Sequence, residues 1–237
     1  EMIKKNKEII VENWGVQSFK DAWNKQEIVL QSIIDVKKIN RRDRVNKKTS
    51  NYLIFLEHNP VYTLGKSGNI NNLLIDDSVL NKNKIDFVRT NRGGDITFHG
   101  PGQLVVYPIF DLDNFFTDIH KYLRLMEDVI ILTLNKYDII AERVVGETGV
   151  WINSKSPYPE KICAMGIRAS RWVTMHGLAL NVNTDLSYFD NIIPCGIKQK
   201  GITSMKKILN KKISIKEVQT VIQFYFQKVF DAKIKTN

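Results

Sequence analysis

Arg92-Gly93-Gly94-Asp95-Ile96-Thr97-Phe98-His99-Gly100-Pro101-Gly102-Gln103 lies between two apolar runs, Ile85-Asp86-Phe87-Val88 and Leu104-Val105-Val106-Tyr107-Pro108-Ile109. Apolar runs of this length between turn residues read as strands. The segment that joins them holds four glycines. Glycine adopts positive φ and lets backbone approach a ligand closely. Such a connection serves either as a wall of a binding pocket or as a long hairpin loop that needs glycine for its turns. Alone it leaves phosphate, nucleotide and acyl ligands all open.

Reading outward, Lys7 to Val11 has strand character and Phe19 to Val36 has helical spacing at Trp23, Ile28, Val29, Ile33 and Ile34. A basic run, Lys37 to Lys48, is expected as a solvated loop over about residues 37–49. Tyr52-Leu53-Ile54-Phe55-Leu56 is a strand, broken near Pro60, which cannot donate to a sheet ladder. Asp118 to Tyr137 is the best helical pattern, with Leu123, Met126, Ile130, Leu132 and Leu134 facing a core and Tyr122 one turn before Met126. Strands follow at Ala141–Val145, Gly149–Asn153, Ile162–Ser170 and Leu178–Val182. Ser214 with Glu217 forms a capping box for a helix that runs to about Phe230. Strands outnumber helices and several are joined by short turns. That predicts an α+β fold with a mixed, largely antiparallel sheet and flanking helices. No linker or repeat divides residues 1–237, so one catalytic domain is expected.

The chain has 237 residues, ample for a sizeable core, with 43% hydrophobic and 25% charged residues, the balance of a globular enzyme. No apolar run reaches bilayer length, so no membrane partner is expected. Residues 1 to 12 lack the order of a secretory signal. Two cysteines make no disulfide framework and point to a reducing compartment. The net charge of +10 is largely lysine in asparagine-rich surroundings. The basic run lacks aromatic residues that could stack on bases, so no nucleic acid is expected. A positive surface steers acidic protein partners.

Beyond the glycine segment come Lys161-Ile162-Cys163-Ala164-Met165-Gly166-Ile167-Arg168, His176-Gly177-Leu178-Ala179-Leu180-Asn181-Val182 and Pro194-Cys195-Gly196-Ile197. In this order and at these separations the four motifs resemble the lipoyl(octanoyl) transferase family. The resemblance covers roughly residues 50 to 205. It implies the biotin/lipoyl protein ligase fold. It also implies transfer of an octanoyl (or lipoyl) group from acyl carrier protein to a lysine of lipoyl domains, through a cysteine thioester, as the first step of lipoate biosynthesis. Partners so implied are octanoyl-acyl carrier protein, the lipoyl domains of 2-oxoacid dehydrogenases and the glycine cleavage H protein, with no cofactor. The compartment follows the source: cytoplasmic for a bacterial chain, mitochondrial matrix or plastid for a eukaryotic one with a removed targeting segment.

Acyl transfer between carriers needs a nucleophile that is also a good leaving group, and a thiolate is both. Cys195, between Pro194 and Gly196, sits where the chain must turn. By itself it reads more readily as a buried structural thiol; the motif match assigns it as nucleophile. A free thiol titrates near about 8.5, and a neighbouring ammonium raises its thiolate fraction roughly tenfold. Lys161 is the matching position for that ammonium and for taking the thiol proton. Cys163 stands where the family has alanine. Two residues beyond Lys161 on one predicted strand, it is expected on the same side as Lys161. The resemblance makes Arg92, Gly93, Gly94, Asp95, Ile96, Thr97, Phe98, His99, Ala164, Met165, Gly166, His176, Gly177, Leu178 and Ala179 the acyl pocket, with the Asp95 carboxylate directed outward. Zinc on Cys163, His176, Cys195 and His99 matches no known ligand spacing, so no metal is expected. The alternatives are an ATP-dependent lipoate or biotin ligase of the same fold and a Cys-His hydrolase.

Overall fold

The computed structural model describes residues 5–193 and 200–235. Its elements run β1 (Glu8–Gln17), α1 (Phe19–Asp43), β2 (Asn51–His58), β3 (Val61–Leu64), α2 (Asp77–Lys82), β4 (Asp86–Arg89), β5 (Ile96–His99), β6 (Gln103–Ile109), α3 (Ile119–Asn135), β7 (Val150–Ile152), β8 (Glu160–Ser170), β9 (Val173–Asn181), β10 (Gly201–Ile202), α4 (Met205–Leu209), α5 (Ile215–Val229) and β11 (Lys233–Ile234).

Among the described residues, eight strands form the main sheet, ordered β10-β8-β9-β6-β2-β1-β11, with β7 also paired to β8. The four pairings β2–β6, β6–β9, β8–β9 and β7–β8 are antiparallel, while β1–β2, β1–β11 and β10–β8 are parallel. A second sheet, β4-β3-β5, stands beside it. The fold is therefore α+β with a mixed sheet, as the turn and strand pattern predicts.

Both faces of the main sheet are covered, which explains why its central strands read as unbroken apolar runs. Alternate residues of β2 serve opposite cores. Leu53 and Phe55 pack with Met126, Ile130, Ile222 and Phe226 of α3 and α5, while Ile54 and Leu56 pack with Leu30, Ile33 and Ile34 of α1. Residues Met126, Ile130 and Leu134 of α3 are buried at one-turn spacing. Leu132 lies off that stripe and is exposed. Ser214 accepts the Glu217 N–H, as the capping box requires.

Two expectations are corrected. The basic run is not a loop from Lys37, because α1 continues to Asp43 and ends on Arg44 in the left-handed region. The reason is tertiary. The Lys37 ammonium is held by Asp111 and Asp113 and donates to the Arg171 carbonyl, which anchors the last turns of the helix. Asn40 then exchanges hydrogen bonds with the backbone of Lys47, folding the remaining segment back on the helix. Residues Ala141–Val145 do not form a strand either. Only Glu142 bridges to Trp151. Its neighbour Arg143 is drawn to Glu127 and Asp128, and Val145 is left fully exposed.

Candidate active site

A pocket opens where the small sheet meets the exposed end of β8. The glycine segment supplies Arg92, Gly94, Asp95, Ile96, Thr97 and His99; β8 supplies Lys161, Ala164, Met165 and Gly166; β9 supplies His176, Gly177, Leu178, Ala179 and Asn181. Phe19, Gln103, Tyr107, Phe189 and Ile202 complete the wall. Most of the expected acyl pocket is thus brought together. Two expected residues do not line it. Gly93 donates its N–H to the Ile167 carbonyl at 2.9 Å and stitches the segment onto β8. Phe98 turns into the core of the small sheet, stacked on Tyr188 with ring centroids 4.4 Å apart. Cys195 lies outside the described residues.

A third of the glycine segment is regular structure, since residues Ile96–His99 pair with β3. The segment is organised from within by Arg92. Its buried guanidinium donates to the carbonyls of Thr63, Gly93 and Asp95 and to the Thr63 hydroxyl. Asp95 does not point its carboxylate to solvent. It accepts from the N–H of Ile96 and Asn69 and from the Asn72 amide, so it ties the 69–72 turn to the pocket rim. Gly166 is needed for close approach: a Cβ there would come within 2.7 Å of the Gly93 carbonyl oxygen. Gly177, opposite it on β9, would drive a Cβ to 2.2 Å from the Val106 carbonyl oxygen.

The expectation that Cys163 shares a side with Lys161 is overturned. Trp151 pairs with Lys161 and Val150 with Cys163, so Ile162 is an extra residue in β8 and makes a bulge. A bulge interrupts the alternation of side chains. Lys161 and Ala164 therefore both line the pocket, while Ile162 and Cys163 both enter the core beneath α3 and α5. Burial pushes the Cys163 thiol up, so it stays protonated. It packs in the core, whereas His99 and His176 line the pocket. Among the described residues no three His, Cys, Asp or Glu side chains are grouped as metal ligands would be.

An aromatic cluster lines the pocket, and sequence reading gave only His99 and His176 of it. Phe19, at the start of α1, stacks on His99 and His176 at centroid distances of 5.9 and 6.4 Å. His58 bonds through Nε2 to the Tyr107 hydroxyl at 2.6 Å and through Nδ1 to the Gln17 carbonyl at 3.0 Å. Burial pulls His58 down to about 4 and His176 to about 3, and holds His99 well below its ordinary value. All three are neutral near pH 7. His176 keeps φ of 59° inside β9, with its N–H donating to Gln26 and its Nε2 bonded to the Asn91 side-chain oxygen. Holding a non-glycine residue there costs about 1–3 kcal/mol. Phe19 was legible as a helix start, but nothing in the pattern said that it reaches across to β5 and β9.

Lys161 is half-buried at the pocket edge, beside Ile202 of β10. Its side chain makes no hydrogen bond or ion pair with the described residues; its ammonium rests 4.7 Å from the centroid of the Trp151 ring. Glu127, fully buried in α3, accepts the Gly149 N–H and pairs with Arg124 and Arg143, which fixes the start of β7 next to Lys161. The arrangement offers an amine at the edge of a mainly apolar cleft with no anionic side chain bound to it among the described residues.

Comparison with known proteins agrees with this geometry. Residues 31–227 match the lipoyl protein ligase A/B catalytic domain family. An octanoyltransferase of Christiangramia forsetii is 56% identical over 97% of this chain and 99% of its own length. One from Flavobacterium johnsoniae is 54% identical, again over 97% and 99%. In fold, a bipartite lipoate protein ligase of Thermoplasma acidophilum superposes with a TM-score of 0.69, covering 99% of this chain and 87% of that one at 15% identity. No helix among the described residues is long and apolar enough to cross a membrane. With near full-length identity above one half to octanoyltransferases, this acyltransferase chain belongs to the lipoyl protein ligase A/B catalytic domain family, among its octanoyltransferases.

Proposed function

We propose that the protein moves an octanoyl group from acyl carrier protein to a lysine of a lipoyl domain, with Cys195 as the relay and Lys161 as its acid-base partner. The observation that carries this is Lys161, which sits at the edge of a mainly apolar cleft with no anionic partner among the described residues. The chain also returns from the Cys195 segment beside it. Gly201 and Ile202 pair with Glu160 and Lys161, and Ile193 donates to the Asn72 carbonyl on the near side of the segment. Ile193 and Gly201, on either side of the undescribed residues, are thus held to Asn72 and to β8.

In the first half-reaction the Cys195 thiol gives its proton to Lys161 and attacks the carrier thioester. A C–S bond forms to Cys195, the bond to the carrier sulfur breaks, and the departing thiolate takes the proton back. In the second, the target lysine amine attacks the Cys195 thioester. The amide forms, Cys195 leaves as thiolate, and Lys161 takes up the amine proton. Burial of the tail stabilises the complex by about 0.8 kcal/mol per methylene. That is too little per carbon to select chain length, so a steric stop in the cleft must do so. Phe19, His99 and His176 line the cleft.

Incubation with octanoyl-acyl carrier protein, without ATP, tests the reading by intact mass. An octanoyl adduct is expected on the wild-type chain and absent from Cys195→Ser. Adduct or product formation that requires ATP and free octanoate would instead favour the ligase chemistry of the structural relatives.

A further inference from the structure

We propose that Trp151 is a positioning residue for the reaction, holding the Lys161 ammonium in place through the face of its indole ring; this rests on the role given to Lys161 above. Trp151 is the cross-strand partner of Lys161 in the β7–β8 ladder. On its other side its backbone N–H and carbonyl both bond to Glu142, at 2.8 Å each. Its backbone is thus held between β8 and the Glu142 bridge, and the ring is almost wholly buried. An indole face attracts a cation within about 6 Å of its centroid. Lys161 lies at 4.7 Å and Lys200 at 5.2 Å.

The two cations differ. Lys200 is ion-paired with Glu147 and so has its counter-charge. For Lys161 the ring is the charge-attracting contact among the described residues. A carboxylate there would hold the lysine more firmly, but it would also neutralise the ammonium that a thiolate needs. An aromatic face orients the amine without supplying a competing anion. The other charged groups around it are already engaged: Glu160 pairs with Lys207, Arg92 turns onto backbone carbonyls, and Asp95 binds the 69–72 turn. The pocket histidines are neutral.

A second observation argues against a purely space-filling role. The Trp151 Nε1–H is buried without a hydrogen-bond partner among the described residues. Leaving such a donor unsatisfied is costly, and phenylalanine or leucine would fill the same core without that cost.

Trp151→Phe, Trp151→Leu, Lys161→Ala and the double variant Trp151→Leu/Lys161→Ala separate the possibilities. The readouts are octanoylation by a small octanoyl thioester, Cys195 alkylation against pH, and thermal melting. Loss of the ring in Trp151→Leu should slow octanoylation roughly ten- to thirtyfold, as expected for a partly desolvated cation–π contact. It should also move the alkylation profile to higher pH. Trp151→Phe should lie between it and wild type. On the Lys161→Ala background, Trp151→Leu should change neither rate nor profile. An equal slowing on both backgrounds, or a change in melting alone, would overturn the proposal and leave Trp151 as packing. An unchanged profile in Lys161→Ala by itself would overturn the Lys161 assignment, and the role of Trp151 with it.

Discussion

At the scale of single residues, the two cysteines and Lys161 separate cleanly. Cys163 is buried in an apolar core, where its thiol is held protonated, and thiols react as thiolates. Under native conditions iodoacetamide should therefore label Cys195 and spare Cys163 until the chain is unfolded, as read by peptide mass. Cys163→Ala should retain most transfer activity. If Cys163 labels first in the folded protein, its placement behind the bulge is wrong. Lys161→Ala should slow Cys195 acylation by about a hundred- to ten-thousandfold, the usual value of a positioned acid-base. Lys161→Arg should not restore it, because a guanidinium keeps its proton. Single-turnover rates with a small octanoyl thioester decide both. Near-wild-type turnover in Lys161→Arg would exclude proton transfer through this position.

At the scale of elements, the bulge in β8 and the buried middle of α3 do the positioning. Glu127 accepts the Gly149 N–H at 3.0 Å while its other oxygen binds Arg124 and Arg143. Both arginines are partly exposed and can be rehydrated, whereas the Gly149 N–H is buried and cannot. Glu127→Ala is thus expected to cost about 2–4 kcal/mol, and Glu127→Gln less because it keeps an acceptor. Denaturant midpoints of the two variants test the order. The histidines where α1 meets β2, β5 and β9 impose a pH dependence. Folded His58 and His176 titrate at about 4 and about 3, below the unfolded value of about 6.5. As pH falls between those limits the unfolded chain binds the extra protons. Their contribution to stability is then complete above about pH 6.5 and is lost on acidification, at about 1.4 kcal/mol per unit for each histidine. Unfolding curves between about pH 7 and about pH 4.5 should show this loss, and His58→Gln should flatten it. An unaltered slope in that variant would mean that His58 is not buried neutral.

At the scale of the whole molecule, a net charge of +10 favours encounter with acidic carriers. Transfer from the carrier protein should weaken with added salt, since steering is screened beyond a Debye length of about 8 Å at physiological ionic strength. Acylation by a small neutral thioester should not. The basic run sits at the far end of α1 from Phe19, and the 25-residue helix spans roughly 37 Å. Reversing Arg41, Arg44, Lys47 and Lys48 to glutamate, with Lys37 kept for its ion pairs, should lower carrier acceptance and leave small-thioester acylation intact. Equal loss of both reactions would mark that segment as structural.

How much was legible depends on the range of the interaction. Local patterns carried the elements: the Tyr52–Leu56 run, the Met126-Ile130-Leu134 stripe and the Ser214 cap all form as their spacing requires. The motif set also carried the family and most of the pocket wall, because glycines such as Gly166 are demanded by backbone contacts that no other residue permits. What the tertiary structure decided was orientation. Period-two counting put Cys163 beside Lys161, and one extra residue opposite β7 sent it to the other core. Charge density read Lys37 as solvated, whereas two aspartates some 75 positions away bind it. Phe19 and His58 gained their places from strands distant in sequence. A side chain's neighbours across a sheet are set by register, and register is the sum of all the pairings at once, so no single segment of this chain contains it.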